Sequence, residues 1–273
     1  MGAGAGFEPG TIEVILCDAD GCLFPSEEPA FAASAIVTNE FLATMGAIAR
    51  FDGEELRLAT TGQNFRTTAA RLAEEEGIEV DPFVLEQWVD EERFRVTAHL
   101  GRTLVPDPAV IGPLARLGRD RRLAVVSSSA LPRIEVCLAA AGLEQLFPRW
   151  ARFSAESSLP RPTSKPDPAV YLLAGESLEV EAHQALAIED SVPGAEAAIA
   201  AGFPTLGNVT FVPPAERQDR IVALIEVGVR GIIQSWGELE QLLAGQRLSA
   251  APPPRRTQGA VSPFSSPPSA PAG

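Results

Sequence analysis

The chain has 273 residues, 45% of them apolar, which is enough for one large or two modest domains with an ample core. Its formal charge of −14 argues against a nucleic-acid or anionic-membrane surface, and no apolar run is long enough to span a bilayer. The same charge repels anionic ligands at long range, so any phosphate site here must be made positive locally. Three cysteines, Cys17, Cys22 and Cys137, lack metal-ligand spacing and read as structural thiols in a reducing, cytoplasmic setting.

In chain order, residues 1–10 form a Gly/Ala-rich stretch without the charged and apolar regions of a signal peptide, and are expected to be flexible. Val14-Ile15-Leu16-Cys17 then reads as a buried parallel strand, stopped by Asp18-Ala19-Asp20-Gly21. From Ser26 to Leu100 the pattern is helical with almost no strand. Its helices lie around Phe41, from Asp52 to Ala59, through Phe65, Ala69 and Leu72 to Gly77, and from Pro82 onward. Beyond that block, strand and helix alternate. A helix opened by Asp107-Pro108 ends at Gly118, a strand covers Leu123–Val126, and a helix covers Pro132–Ala141. A helix from Pro168, a strand Ala185–Ile188 and a helix Pro193–Ala201 follow. Strands at Thr205–Val209 and Gly231–Ile233 lead to a last helix with a capping box at Ser235 and Glu238. This alternation predicts an α/β fold, a doubly wound parallel, Rossmann-like sheet. The Pro/Ser/Ala-rich residues 249–273 cannot bury enough apolar surface to offset their ordering entropy and read as a disordered tail.

Polar groups stand at three predicted strand ends: Asp18 and Asp20, then Ser127, then Glu189 and Asp190. In a parallel sheet these ends share one edge, where ligands bind. Two acids as close as Asp18 and Asp20 repel, so a bound cation, a shared proton or a covalent role must make them worth keeping. Glu189-Asp190 also fits an acidic pair serving a helix dipole. Of the 22 basic residues 21 are arginine, and Lys165, in Ser164-Lys165-Pro166-Asp167-Pro168, is the only lysine. A compact ammonium on a flexible stem does what a planar guanidinium does not, reaching a single oxygen as a point charge. Several carboxylates with one lysine are too negative for a phosphate unless a divalent cation joins them. Mg²⁺ suits such an all-oxygen donor set.

In order and spacing these motifs resemble the haloacid dehalogenase superfamily over residues 11–245. The parts are Asp18-Ala19-Asp20-Gly21-Cys22-Leu23, Ser127 after Leu-Ala-Val-Val, Ser164-Lys165-Pro166-Asp167-Pro168, and Ile188-Glu189-Asp190-Ser191-Val192-Pro193-Gly194-Ala195. The helical insert looks like the cap of the β-phosphoglucomutase-like phosphatase group. The resemblance implies a Mg²⁺-dependent phosphotransferase in which Asp18 attacks phosphorus and Asp20 protonates the leaving alcohol, then activates water. It further implies that Ser127 hydrogen-bonds the phosphoryl oxygens, with Ser128 beside it, and that Lys165 neutralises their charge. Asp190, Asp18 and the Asp20 carbonyl would hold Mg²⁺, supported by Glu189. Two departures stand out: Pro25-Ser26-Glu27 replaces the usual Asp-Ser-Glu, suggesting a stiffer hinge, and Leu159–Thr163 adds residues before Lys165.

Asp20 speaks for phosphoryl transfer over dehalogenation, and the absence of lysine from residues 26–100 excludes the Schiff-base chemistry of phosphonate hydrolysis. The expected reaction is hydrolysis of a small phosphomonoester, a sugar phosphate or related metabolite; the alternative is a sugar phosphomutase. Gln63, Asn64 and Arg66 sit where the cap's specificity loop is expected; Arg66 could bind a second phosphate, but a solvated helix residue is the slightly favoured reading. A phosphate-sensing module without catalysis is disfavoured because Asp18 and Lys165 are both present. The expected organisation is a core of residues 11–25 and 101–248, a helical cap of 26–100, and a monomer without nucleic-acid or membrane partners.

Overall fold

The computed structural model describes residues 8–48, 50–60 and 65–245. Six strands form one sheet: β1 (Val14–Cys17), β2 (Arg122–Ser127), β3 (Arg152–Ser154), β4 (Ala185–Glu189), β5 (Thr205–Asn208) and β6 (Ile232–Ile233). Their order is β3-β2-β1-β4-β5-β6 and every pairing is parallel. The order reverses direction beside β1, whose Cys17 lies in register with Val125 of β2 and Ile188 of β4. The residues that follow these strands, Asp18, Ser127 and Glu189-Asp190, therefore meet at one switch point.

Alternation along β1 sends Ile15 and Cys17 into one core layer and Val14 and Leu16 into the other. The first layer is closed by α5 (Pro108–Leu117), α6 (Leu131–Ala140) and α10 (Trp236–Leu243), and the second by α7 (Ala169–Ser177) and α8 (Val192–Ala200). The predicted strands and helices outside the insert all form, with ends displaced by one or two residues.

Two elements escaped the sequence pattern. β3 is three residues long and begins with a charge, yet Arg152 is buried because its guanidinium donates to the carbonyls of Phe147 at 2.8 Å and Glu144 at 3.3 Å. α9 (Arg217–Val227) opens on four polar residues, Arg217-Gln218-Asp219-Arg220, and buries only Leu224 completely; a left-handed Gly228 at φ 104° ends it. The capping box expected at Ser235 is half-formed. Ser235 accepts the Glu238 N–H, but the Glu238 carboxylate accepts from the N–H of Gln234, one residue too early. The extended backbone at Ser235 presents the preceding amide to it.

Between β1 and α5 lie four helices, α1 (Glu27–Thr44), α2 (Gly53–Ala59), α3 (Phe65–Glu75) and α4 (Pro82–Thr103). They share a separate apolar cluster around Phe41, whose ring meets Trp88 edge-on at 5.9 Å and Phe65 at 6.5 Å. The second half of α4 joins the main core through Val96 and Leu100. There Gly101 lets α4 approach α6, since a Cβ would stand 2.7 Å from Val136.

Candidate active site

The carboxyl edge of the sheet and the inner side of α1–α4 enclose a cleft of about 1330 Å³. At its floor lies Asp18, directly after β1. Lys165 Nζ donates to Asp18 Oδ1 at 2.5 Å, to Glu189 Oε1 at 2.6 Å and to the Val126 carbonyl at 2.7 Å, so all three ammonium protons are engaged. Burial opposes the ammonium, but the charges of Asp18 and Glu189 outweigh it and raise the lysine above its ordinary value. The loop that delivers Lys165 contains the extra residues Leu159–Thr163 and is tied back to the sheet by the Thr163 N–H on the Ala155 carbonyl at 3.0 Å.

Glu189 is wholly buried. Its Oε1 also accepts from the Tyr171 hydroxyl at 2.5 Å, while Oε2 has no hydrogen-bond partner among the described residues. Gly194 makes that position possible, because any Cβ there would overlap the Glu189 carboxylate. Gly21, in the left-handed region at φ 76°, does the same for Asp190, whose Oδ2 would stand 2.5 Å from a Cβ. Carboxylate oxygens of Asp18, Glu189 and Asp190 lie within 4.8 Å of one another. Burial pushes all three carboxyls up. Mutual repulsion adds to it at Glu189 and Asp190, and Asp20 adds to it at Asp18, while Lys165 pulls the other way at each. Three hard oxygen donors with too few protons to share, one atom of them unpartnered, fit a divalent cation such as Mg²⁺. From the far side Arg220 of α9 donates to the Asp190 carbonyl at 2.7 Å.

Asp20 is held apart from this nest. Its carboxylate accepts from Ser26 Oγ at 2.5 Å, Ser129 Oγ at 2.6 Å and Arg133 Nη2 at 2.9 Å. Burial pushes Asp20 up, but the Arg133 charge and these hydrogen bonds together hold it below the usual carboxylate range. Ser26, in the segment that departs from the usual pattern, thus gains a definite role as a donor to the second aspartate. Ser127 Oγ accepts the Ser129 N–H at 3.0 Å, and Ser128 Oγ accepts the Lys165 N–H at 3.1 Å.

The structure therefore gathers Asp18, Asp20, Ser127, Ser128, Lys165 and Asp190 around one cleft, with Glu189 behind them. Arg66 also reaches the cleft wall, but its guanidinium is engaged by Glu86 at 2.6 and 2.7 Å and is about half exposed. Gln63 and Asn64 lie outside the described residues. Sequence reasoning missed Ser26, Ser129, Arg133, Tyr171 and Arg220. Tyr171 was within reach, being the single tyrosine of the chain as Lys165 is the single lysine. Arg133 and Arg220 carry no such signal, because arginine is this sequence's default cation.

Comparison with known proteins gives a consistent result. The family model of haloacid dehalogenase-like hydrolases matches residues 12–202. Protein CbbY of Cereibacter sphaeroides is 33% identical over 249 residues, covering 88% of this chain and 98% of that protein. Among solved structures, a variant of CbbY from Rhodobacter sphaeroides in complex with xylulose-(1,5)-bisphosphate is 27% identical with a TM-score of 0.63. That match covers 84% of this chain and 96% of the other. A HAD family hydrolase from Deinococcus radiodurans with bound phosphate and sodium is 26% identical, also with a TM-score of 0.63, covering 86% and 96%.

Proposed function

The chain belongs to the haloacid dehalogenase-like hydrolases, in their phosphatase group, and from that premise we propose that it hydrolyses a small sugar phosphate through an aspartyl-phosphate on Asp18. The observation that carries this reading is the Lys165 ammonium, fixed between Asp18 and Glu189 at the floor of the cleft while Asp20 stands apart. An Asp18 oxygen attacks phosphorus, the bond from phosphorus to the ester oxygen breaks, and the leaving alkoxide takes the proton that Asp20 must carry in the substrate complex against the pull of Arg133, the same proton that water returns to it in the second step. Asp20 then removes a proton from water, whose oxygen attacks the same phosphorus and returns Asp18 as a carboxylate with release of inorganic phosphate. Ser127 donates to the phosphoryl oxygens, and Lys165 offsets their charge.

Asp18, Asp190 and the Asp20 carbonyl would hold Mg²⁺, with Glu189 supporting them from behind. When bound, the cation screens the two reacting anions and fixes their in-line approach. Without it, the buried carboxylates of the nest would repel the incoming phosphate.

In this reading α1–α4 act as a cap on a core of residues 11–25 and 101–248, excluding bulk water and selecting the alcohol. Hydrolysis is favoured over a mutase because the arginines lining the cleft are already in ion pairs: Arg66 with Glu86, Arg93 with Glu156, Arg133 with Asp20 and Arg220 with Asp190. A second phosphate would have to break one of these. No helix among the described residues is long and apolar enough to cross a membrane, and we place the enzyme in the cytoplasm as a monomer, in keeping with three free, buried cysteines.

The test is release of inorganic phosphate from a panel of sugar mono- and bisphosphates, with Mg²⁺ or with a chelator. Phosphate release that needs Mg²⁺ and no bisphosphate activator is expected. Bisphosphate-dependent isomerisation that outpaces phosphate release would replace the phosphatase with a mutase, and full turnover in chelator would remove the metal.

A further inference from the structure

We propose that Arg133 is the positioning residue of the reaction, the group that fixes Asp20 where it can serve the leaving oxygen and the attacking water. This rests on the roles given above to Asp18 and Asp20. Arg133 lies in the first turn of α6, four residues beyond Ser129, and it lines the cleft. Three donors from separate pieces of chain converge on Asp20. Ser26 comes from the start of α1, Ser129 from the loop after β2, and Arg133 from α6.

The three donors are not equivalent. A hydroxyl turns about its C–O bond and can give its proton to another acceptor. A planar guanidinium holds a carboxylate in a fixed direction and adds a charge to the hydrogen bond. The Arg133 side chain is about three-quarters buried, and its Nε is buried with no partner among the described residues, so Asp20 is its main hydrogen-bonded anchor. Two further groups act on it: Glu92 of α4, a carboxylate that attracts it from the helical block, and the Cys137 thiol one turn along α6. Arg133 is therefore hydrogen-bonded to Asp20 on one side and attracted by the Glu92 charge of α4 on the other. It acts through Asp20, whose Oδ1 accepts its hydrogen bond.

Removing a positioning residue leaves a signature that a loss of packing does not. Departure of p-nitrophenolate needs little proton donation, whereas departure of an alkoxide needs it fully. Hydrolysis of the aspartyl-phosphate needs Asp20 as base whatever the leaving group. Full-length enzyme in saturating Mg²⁺ would be assayed with p-nitrophenyl phosphate, phenyl phosphate and an alkyl phosphate. For each, the initial burst of alcohol and the fraction of enzyme carrying phosphate would be measured.

In Arg133→Ala we expect kcat for the alkyl ester to fall about ten- to a hundredfold with KM little changed, the worth of one charge-assisted hydrogen bond. The burst from p-nitrophenyl phosphate should persist, and phosphoenzyme should accumulate. Arg133→Lys should recover part of the loss. The double variant Arg133→Ala, Asp20→Asn should be no slower than Asp20→Asn alone to within about twofold, because residues acting as a unit are not additive. If Arg133→Ala fails to fold, Arg133→Gln, which keeps the stem, takes its place. Burst rates lowered equally for all three esters, no loss at all, or losses that multiply in the double variant would each overturn the role of Arg133. A wild-type enzyme that never carries phosphate would instead overturn the Asp18 reading beneath it.

Discussion

Two walls face each other across the cleft. On the sheet edge, Asp18, Lys165, Glu189 and Asp190 are buried within hydrogen-bonding or near-bonding distance of one another. On the helical side, apolar Phe31, Leu56, Phe65, Val89 and Val96 are interspersed with Ser34, Thr60, Thr68 and Glu92, and the arginines sit in half-exposed pairs, Arg66 with Glu86 and Arg93 with Glu156 of the loop after β3. Burying ions costs free energy unless each is paired and hydrogen-bonded, so the edge is under electrostatic strain that a proton, a ligand or a cation relieves. Half-exposed pairs cost and contribute little. One wall is therefore built for chemistry at the expense of stability, and the other for shape.

That contrast can be broken in graded steps. The largest effect belongs to Asp18→Asn, which removes the attacking oxygen and should lower turnover by about 10⁴-fold or more with melting unchanged or raised. Gly194→Ala comes next. Its methyl would overlap the buried Glu189 carboxylate, so either β4 or α8 must shift, at a cost of about 1–3 kcal/mol in denaturant unfolding.

Asp190→Asn should have the opposite sign in the absence of metal. Burial and the charges of Asp18 and Glu189 raise this carboxyl in the folded state, so above the ordinary carboxylate range the folded protein keeps a proton that the unfolded chain has already released. Stability in chelator should accordingly fall as pH rises above the ordinary carboxylate range, and Asp190→Asn should flatten that slope and melt higher than wild type. Adding Mg²⁺ should raise the wild-type melting temperature and leave the variant nearly unmoved. The smallest effect is expected on the helical wall. Arg66→Ala should shift melting by no more than about a degree or two, because an exposed ion pair contributes little, and should alter which alcohol is preferred.

The same contrast explains what could be seen in the sequence. Asp18, Asp20, Ser127, Glu189 and Asp190 each follow a run of buried residues in their own strand, so chain order alone predicted their convergence. Lys165 stood out by being the only one of its kind. The fold followed from alternating strand and helix, and the four helices of the insert from their helical apolar patterns, with starts at Asp52 and Pro82 and a stop at Gly77. What stayed hidden depends on which face of a helix meets the cleft. Arg133 and Arg220 lie on α6 and α9 among many arginines, and their partners are 113 and 30 residues away in sequence. β3 was hidden because a buried Arg152 is stabilised only by carbonyls the fold brings to it.

The most direct test of the account is to find where phosphate sits during turnover. Enzyme mixed with a turned-over phosphomonoester in Mg²⁺, quenched in acid and digested, should yield one phosphorylated peptide, modified at Asp18, stable in acid and lost in base. The label should be absent from Asp18→Asn and, with p-nitrophenyl phosphate as donor, increased in Asp20→Asn, where the first half-reaction needs little acid and the second loses its base. Label that persists in Asp18→Asn, or phosphate released by wild type with no labelled intermediate at any quench time, would contradict the assignment of Asp18 as nucleophile and the mechanism built on it.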